Sequence, residues 1–95
     1  MKDIDLKFKD RIIMHSGIKL LTKFDAIDFI DECEIRHIQI LGIDAFYLTP
    51  NTIEPSMDNS IDFSSSTPSN FNGYSIAKNF LQSRNDSLFF EIVHR

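Results

Sequence analysis

Residues 38–48 read IQILGIDAFYL and residues 53–64 read IEPSMDNSIDFS, with Pro50-Asn51 as a turn between them. In the first run both alternating sets are apolar. Ile38, Ile40, Phe46 and Leu48 form one set; Leu41, Ile43, Ala45 and Tyr47 form the other. A strand covered on both faces has this composition. Gly42 inside it predicts a bulge or a close backbone approach. The second run alternates: Ile53, Pro55, Met57, Asn59, Ile61 and Phe63 against Glu54, Ser56, Asp58, Ser60, Asp62 and Ser64. If it is extended, the first set packs on the core and the second shows water a row of carboxylates and hydroxyls. Asp58-Asn59 offers a turn that would split this strand in two.

Upstream, residues 3–9 (DIDLKFK) alternate polar and apolar, the period of a half-buried strand. Residues 11–21 place two apolar runs around Ser16-Gly17, which predicts a second short strand or an irregular connection. Thr22 stands three residues before Asp25, an approximate capping box, and opens an amphipathic helix over Lys23–Ile35. Phe24, Ile27, Ile30 and Cys33 are its predicted apolar line. Downstream come a polar loop over 64–72 and a helix over 73–84, with Ile76 or Ala77, Phe80 and Leu81 inward. A terminal strand follows over 88–93. The order is β-α-β-β-α-β, with room for an extra N-terminal strand. It predicts one α+β domain over 1–95: an antiparallel or mixed sheet, ferredoxin-like, with two helices on one face. The other face is left open, and parity places Glu54, Asp58, Asp62 and Glu91 on it, with Phe89 and Val93 beside Glu91.

The chain has 95 residues, 42% of them hydrophobic and 25% charged, a globular balance for a single core. No apolar run approaches the roughly 20 residues that span a bilayer. Met1-Lys2-Asp3-Ile4-Asp5 carries acids where a signal peptide carries an apolar stretch. Cys33 is the single cysteine, so an intrachain disulfide and a thiolate metal cluster are excluded, and a reduced cytoplasm fits. Six of the ten Lys and Arg residues fall within the first 23 positions. From Phe24 to Ala77 one base, Arg36, stands against nine acids. Such a stretch repels phosphates and attracts a basic surface, which argues against direct nucleic-acid binding.

The sequence carries no catalytic or cofactor motif. His15, His37 and His94 lack any zinc-site spacing, and Cys33 lies on an apolar helix line. Ser64-Ser65-Ser66 lacks the glycines of a nucleophile elbow, and Gly17, Gly42 and Gly73 are too scattered for a phosphate loop. Glu54, Asp58 and Asp62 recur every four residues, about 13 Å apart on a strand. A retaining glycosidase pair needs about 5 Å, so the row suits separate contacts to a partner's Lys and Arg. Asp44 interrupts an apolar strand. Either it is a satisfied carboxylate steadying a bulge after Gly42, or it is offered to a partner with Tyr47 close by.

Ile40-Leu41-Gly42-Ile43-Asp44, the aromatic segment Phe46-Tyr47-Leu48, and Ile61-Asp62-Phe63-Ser64-Ser65-Ser66 together resemble a known pattern. It is that of the small immunity proteins of colicin-type tRNA-cutting ribonucleases and of contact-dependent growth inhibition systems. The likeness covers about 38–66, roughly a third of the chain. Leu41, Gly42, Ile43, Asp44, Ile61, Asp62, Ser64 and Ser65 match, whereas Ala45-Phe46-Tyr47 departs from a glycine-rich continuation. The resemblance implies a non-enzymatic bacterial protein, cytoplasmic and without cofactor or metal, that inhibits a cognate toxin. The partner would be a basic nuclease domain whose RNA-binding cleft is covered. The stretch 53–59 has no counterpart in the family pattern; it is the strand reading, with its row of carboxylates and Asp44 beside Tyr47, that offers Asp44, Tyr47, Glu54, Asp58 and Asp62 as the contact residues. The rival expectation is a small regulatory or ligand-binding α+β domain that homodimerises through the open sheet face.

Overall fold

The computed structural model describes residues 3–63 and 73–95. The polar loop expected over 64–72, including the Ser64 and Ser65 of the resemblance, lies outside the described residues. Within them the chain forms α1 (Asp3–Lys7), β1 (Ile13–His15), β2 (Ile18–Thr22), α2 (Lys23–Ile35), β3 (Ile40–Leu48), β4 (Ile53–Asp62), α3 (Gly73–Gln82) and β5 (Phe89–His94). The strands make one five-stranded antiparallel sheet in the order β1-β2-β5-β3-β4. The α+β class stands. The strand order, however, is not the ferredoxin-like one. The two innermost strands of the β-α-β-β-α-β series are its second and its last, β3 and β5.

The first departure from the sequence reading is at the N-terminus. Ile4, Leu6 and Phe8 satisfy a period of two, but Ile4 and Phe8 also satisfy the i, i+4 spacing of a helix. Burial decides between them: Ile4 and Phe8 are 1% and 2% exposed, whereas Leu6 is 52% exposed. The segment is therefore a helical turn with one apolar edge. Phe8 packs edge-on to Phe29 of α2, with ring centroids 5.0 Å apart. The strand next to β5 comes instead from the β1–β2 hairpin. Its two-residue turn, Ser16-Gly17, has φ of 52° and 81°, the positive pair of a type I′ hairpin.

Helix α2 begins and ends on identifiable chemistry. The Thr22 hydroxyl accepts from the Asp25 backbone N–H at 3.3 Å, an N-cap. At the other end the Ile38 N–H donates to the Cys33 carbonyl at 2.8 Å, and the His37 N–H to Glu34 at 3.2 Å. That is a Schellman motif with His37 in the left-handed position, at φ 57°. The buried stripe is Ala26, Phe29, Ile30 and Cys33, while Phe24 is exposed. Steps of three drift around a helix of 3.6 residues per turn, so the expected line from Phe24 to Cys33 could not stay on one face.

All three helices cover one side of the sheet. Ile4, Phe8, Phe29, Ile30, Ala77 and Leu81 join Leu21, Ile43, Ala45, Phe90 and Ile92 in one core cluster. The register places Thr22, Gly42, Asp44, Phe46, Phe89, Glu91 and Val93 on the opposite, open side. Strand β3 lies inside the sheet, between β5 and β4, but the cover on both faces that its composition predicts is not complete: Ile43 and Ala45 are buried under the helices, whereas Asp44 on the other face is exposed. At Gly42 the neighbouring backbone comes close: a Cβ there would lie 3.0 Å from the Ile61 carbonyl oxygen. No helix among the described residues is long and apolar enough to cross a membrane.

The helical reading of α1 has a direct mutational signature. Ile4→Ala should cost about 2–5 kcal/mol in urea unfolding and Leu6→Ala no more than about 0.5 kcal/mol. Equal losses at the two sites would restore the strand. His37→Gly should raise stability by about 0.5–1 kcal/mol, because glycine takes the left-handed cap position without a Cβ penalty.

Candidate functional site

The site is built by an interruption in the β3–β4 ladder. Ile43 pairs with Ile61, and Ala45 with Ser56, so β4 takes five steps where β3 takes two. Three extra residues are looped out, and side chains pin the loop. The Ser60 hydroxyl donates to the Ser56 carbonyl at 2.8 Å and accepts from the Ala45 N–H at 2.9 Å. Asn59 Nδ2 donates to Ser56 Oγ at 2.8 Å. Arg84, beyond the end of α3, donates to Asn59 Oδ1 at 3.4 Å and to the Asp58 carbonyl at 3.5 Å.

An odd number of extra residues inverts which alternating set faces the helices. Before the interruption Glu54 and Ser56 share the helix side with Ala45; after it Ile61 takes that side and Asp62 the other. The expected single row is therefore dismantled. Asp62 stands on the open side opposite Gly42, Asp58 lies in the loop, and Glu54 pairs with Tyr47 on the helix-side parity. Tyr47, 46% exposed, points away from the face that carries Asp44, which corrects the expectation that the two are neighbours. Met57, expected in the core, is 80% exposed.

What the fold does bring together is Asp44, Asp62 and Glu91. Asp44 is exposed, and its cross-strand partner in β5 is Glu91. Asp44 and Asp62 line one groove of about 420 Å³, walled by Leu41, Gly42, Met57 and Val93. Directly opposite like charges destabilise a sheet. The Glu91 carboxyl is held above its ordinary range chiefly by burial; the Lys19 backbone N–H works against the rise and the neighbouring Asp44 adds to it.

The long acidic stretch also divides. Acids of α2 are paired within the chain: Glu32 with Lys7 and Arg36, both at 2.7 Å, Asp28 with Arg11 at 2.9 Å, and Asp31 with Lys78 at 2.7 Å. Strands β3 and β4, in contrast, contain no Lys, Arg or His. Asp44, Glu54 and Asp58 are exposed carboxylates with no ion-pair partner among the described residues.

Nucleophilic chemistry has little footing here. Cys33 is buried, and burial pushes its thiol up to about 12, which keeps it protonated and inert. No group of three or more His, Cys, Asp or Glu is placed to hold a metal ion among the described residues. No protein-family model, curated protein or solved structure matches the chain.

Glu91→Gln keeps an acceptor for the Lys19 N–H and removes the repulsion with Asp44. A carboxyl whose pKa is raised by folding stabilises most below its ordinary value of 4.5 and loses that contribution as the pH rises through the folded value. The variant should therefore be more stable than the parent at neutral pH, by about 0.2–1 kcal/mol. The difference should shrink as the pH falls towards 4.5, read from urea midpoints across that range.

Proposed function

We propose that the chain is an immunity protein that neutralises a cognate bacterial toxin, a nuclease with a basic RNA-binding cleft, in the cytoplasm. The observation that carries this reading is the Asp44–Glu91 pair: two carboxylates set opposite each other on a sheet face that no helix among the described residues covers. In the free protein they repel, and a Lys or Arg from a partner turns the repulsion into attraction. Asp62 extends the acidic field across the groove, and Val93 and Met57, 36% and 80% exposed, give the stem of such a side chain apolar contact. Phosphate-like charge on this face competes with RNA for the toxin's cleft, so inhibition needs no chemistry from the chain itself.

The rival reading, a homodimer through the same face, meets an electrostatic objection. A two-fold contact sets the same patch on both subunits, which would bring Asp44, Asp62 and Glu91 against their own copies.

Co-purification with the product of the adjacent gene is the first measurement, followed by association kinetics. Asp44→Lys with Asp62→Lys should slow association by about tenfold or more at low salt, and rising ionic strength should narrow the gap. Asp28→Lys, on the helix side, should leave the rate nearly unchanged. An association rate indifferent to the double reversal would sink the proposed face. A stable homodimer burying Asp44 and Asp62 would sink the function.

A further inference from the structure

A second cleft lies where the β2–β5 ladder stops. The two strands pair only at Leu21↔Phe90 and Thr22↔Phe89. Beyond that the hairpin and the end of β5 part around a cleft of about 590 Å³, lined by Asp5, Lys19, Phe29, Glu91, Ile92 and His94 among others. It adjoins the groove at Asp62, since Val93 borders both, and Glu91 borders the cleft and the open face.

The polar groups in this cleft are arranged in an unbalanced way. His94 has a side chain only 9% exposed, and its Nδ1 lies 2.9 Å from the Arg95 carbonyl oxygen. A carbonyl only accepts, so Nδ1 carries the hydrogen, and Nε2 of the neutral ring is an acceptor. Nε2 faces Asp5 Oδ1 at 4.0 Å, too far for a direct hydrogen bond, and has no hydrogen-bond partner among the described residues. Asp5 is itself 5% exposed, with its other oxygen taken by Lys19 Nζ at 2.8 Å. Two acceptors, each nine-tenths buried, thus face each other across one atom's width. Asp5 and Glu91 against Lys19 leave the cleft one negative charge. Phe29 supplies an aromatic surface, and Ile92, on the same side of the sheet, an apolar one.

We infer that this cleft binds a primary ammonium group, held between Asp5 Oδ1 and His94 Nε2. A nitrogen about 2.9 Å from both oxygen and ring nitrogen subtends roughly 90°, which two N–H bonds of one ammonium span with a modest bend. The positive charge balances the cleft, and an alkyl substituent lies along Ile92. A quaternary ammonium carries the same charge but no N–H, so it meets neither acceptor. A metal ion is a poor fit, because no three ligating side chains converge here.

The test is a titration followed by NMR of the His94 and Phe29 ring protons at roughly pH 8, above the ordinary histidine range and below that of primary amines. Propylammonium chloride should give a saturable shift at both rings, and propyltrimethylammonium at the same concentration should give none. His94→Phe, which keeps the ring packing against Phe29, should weaken propylammonium by about tenfold, the loss of one hydrogen bond. Nα-acetyl-lysine amide distinguishes the source: tighter binding than propylammonium assigns the site to a lysine side chain, weaker binding to a free amine. Equal shifts with the quaternary ion, or full binding by the His94→Phe variant, would overturn the inference.

Discussion

The faces taken by the carboxylates of β4 follow from an interruption of the ladder that one hydroxyl bridges. Ser60 Oγ takes the Ala45 N–H that a regular β4 would have met with a backbone carbonyl, and passes its own hydrogen to Ser56. That exchange lets three residues leave the ladder without orphaning the donor on β3. Because side-chain direction has a period of two, the inserted residues invert the faces of everything on one side of them. Ser56 turns under the helices, Met57 is expelled to solvent, and Asp62 comes to the open face beside Gly42. The close approach at Gly42 belongs to the same arrangement, since the strand that passes 3.0 Å from its Cβ position is the part of β4 restored to register.

Charge is partitioned by layer. On the helix side Lys7, Arg11, Arg36 and Lys78 sit against acids of α2, with much of this pairing at exposed or half-exposed positions. Such pairs contribute modestly to stability, but they cancel the field of α2. Strands β3 and β4 have no base of their own, so their carboxylates dominate the field at that edge of the sheet. A net charge of −4 understates this, because much of the basic charge lies on the helix side. The exposed carboxylates Asp44, Glu54 and Asp58, which have no ion-pair partner among the described residues, thus concentrate acidic charge at this end of the sheet.

The sequence was legible where a segment obeyed one period and illegible where two competed. Strand β3 announces itself by apolar residues on both alternating sets, and α2 by its Thr22 cap, and both lie where expected. Residues 3–9 satisfied strand and helix periods together, and only the tertiary partner of Phe8, the Phe29 ring, selects the helix. In β4 the alternation was unbroken in the sequence but not in space. The Asp58-Asn59 pair marked the interruption, yet its outcome depends on Arg84, an arginine 25 residues away. A parity argument cannot anticipate a contact at that separation. Glu91 was legible as an open-face residue, whereas at Asp44 the sequence allows either a bulge-steadying carboxylate or one offered to a partner. Their direct opposition was not legible, because it follows from the strand order that sets β5 beside β3.

Glu91 borders both the cleft and the open face. Lys19 pairs with Met14 of β1 but has no partner in β5, and its backbone N–H lies against the Glu91 carboxyl, where it acts to lower the Glu91 pKa. The side chain that terminates the ladder is therefore the one that stands across from Asp44. Moving the acid elsewhere would relieve the repulsion but leave the Lys19 N–H without its acceptor, a loss of about 1–3 kcal/mol if the group stays buried. A glutamine would serve that N–H equally well and would not repel Asp44. The structural requirement is thus for an oxygen, and the negative charge is an addition to it. Backbone pairing explains why an acceptor lies at position 91.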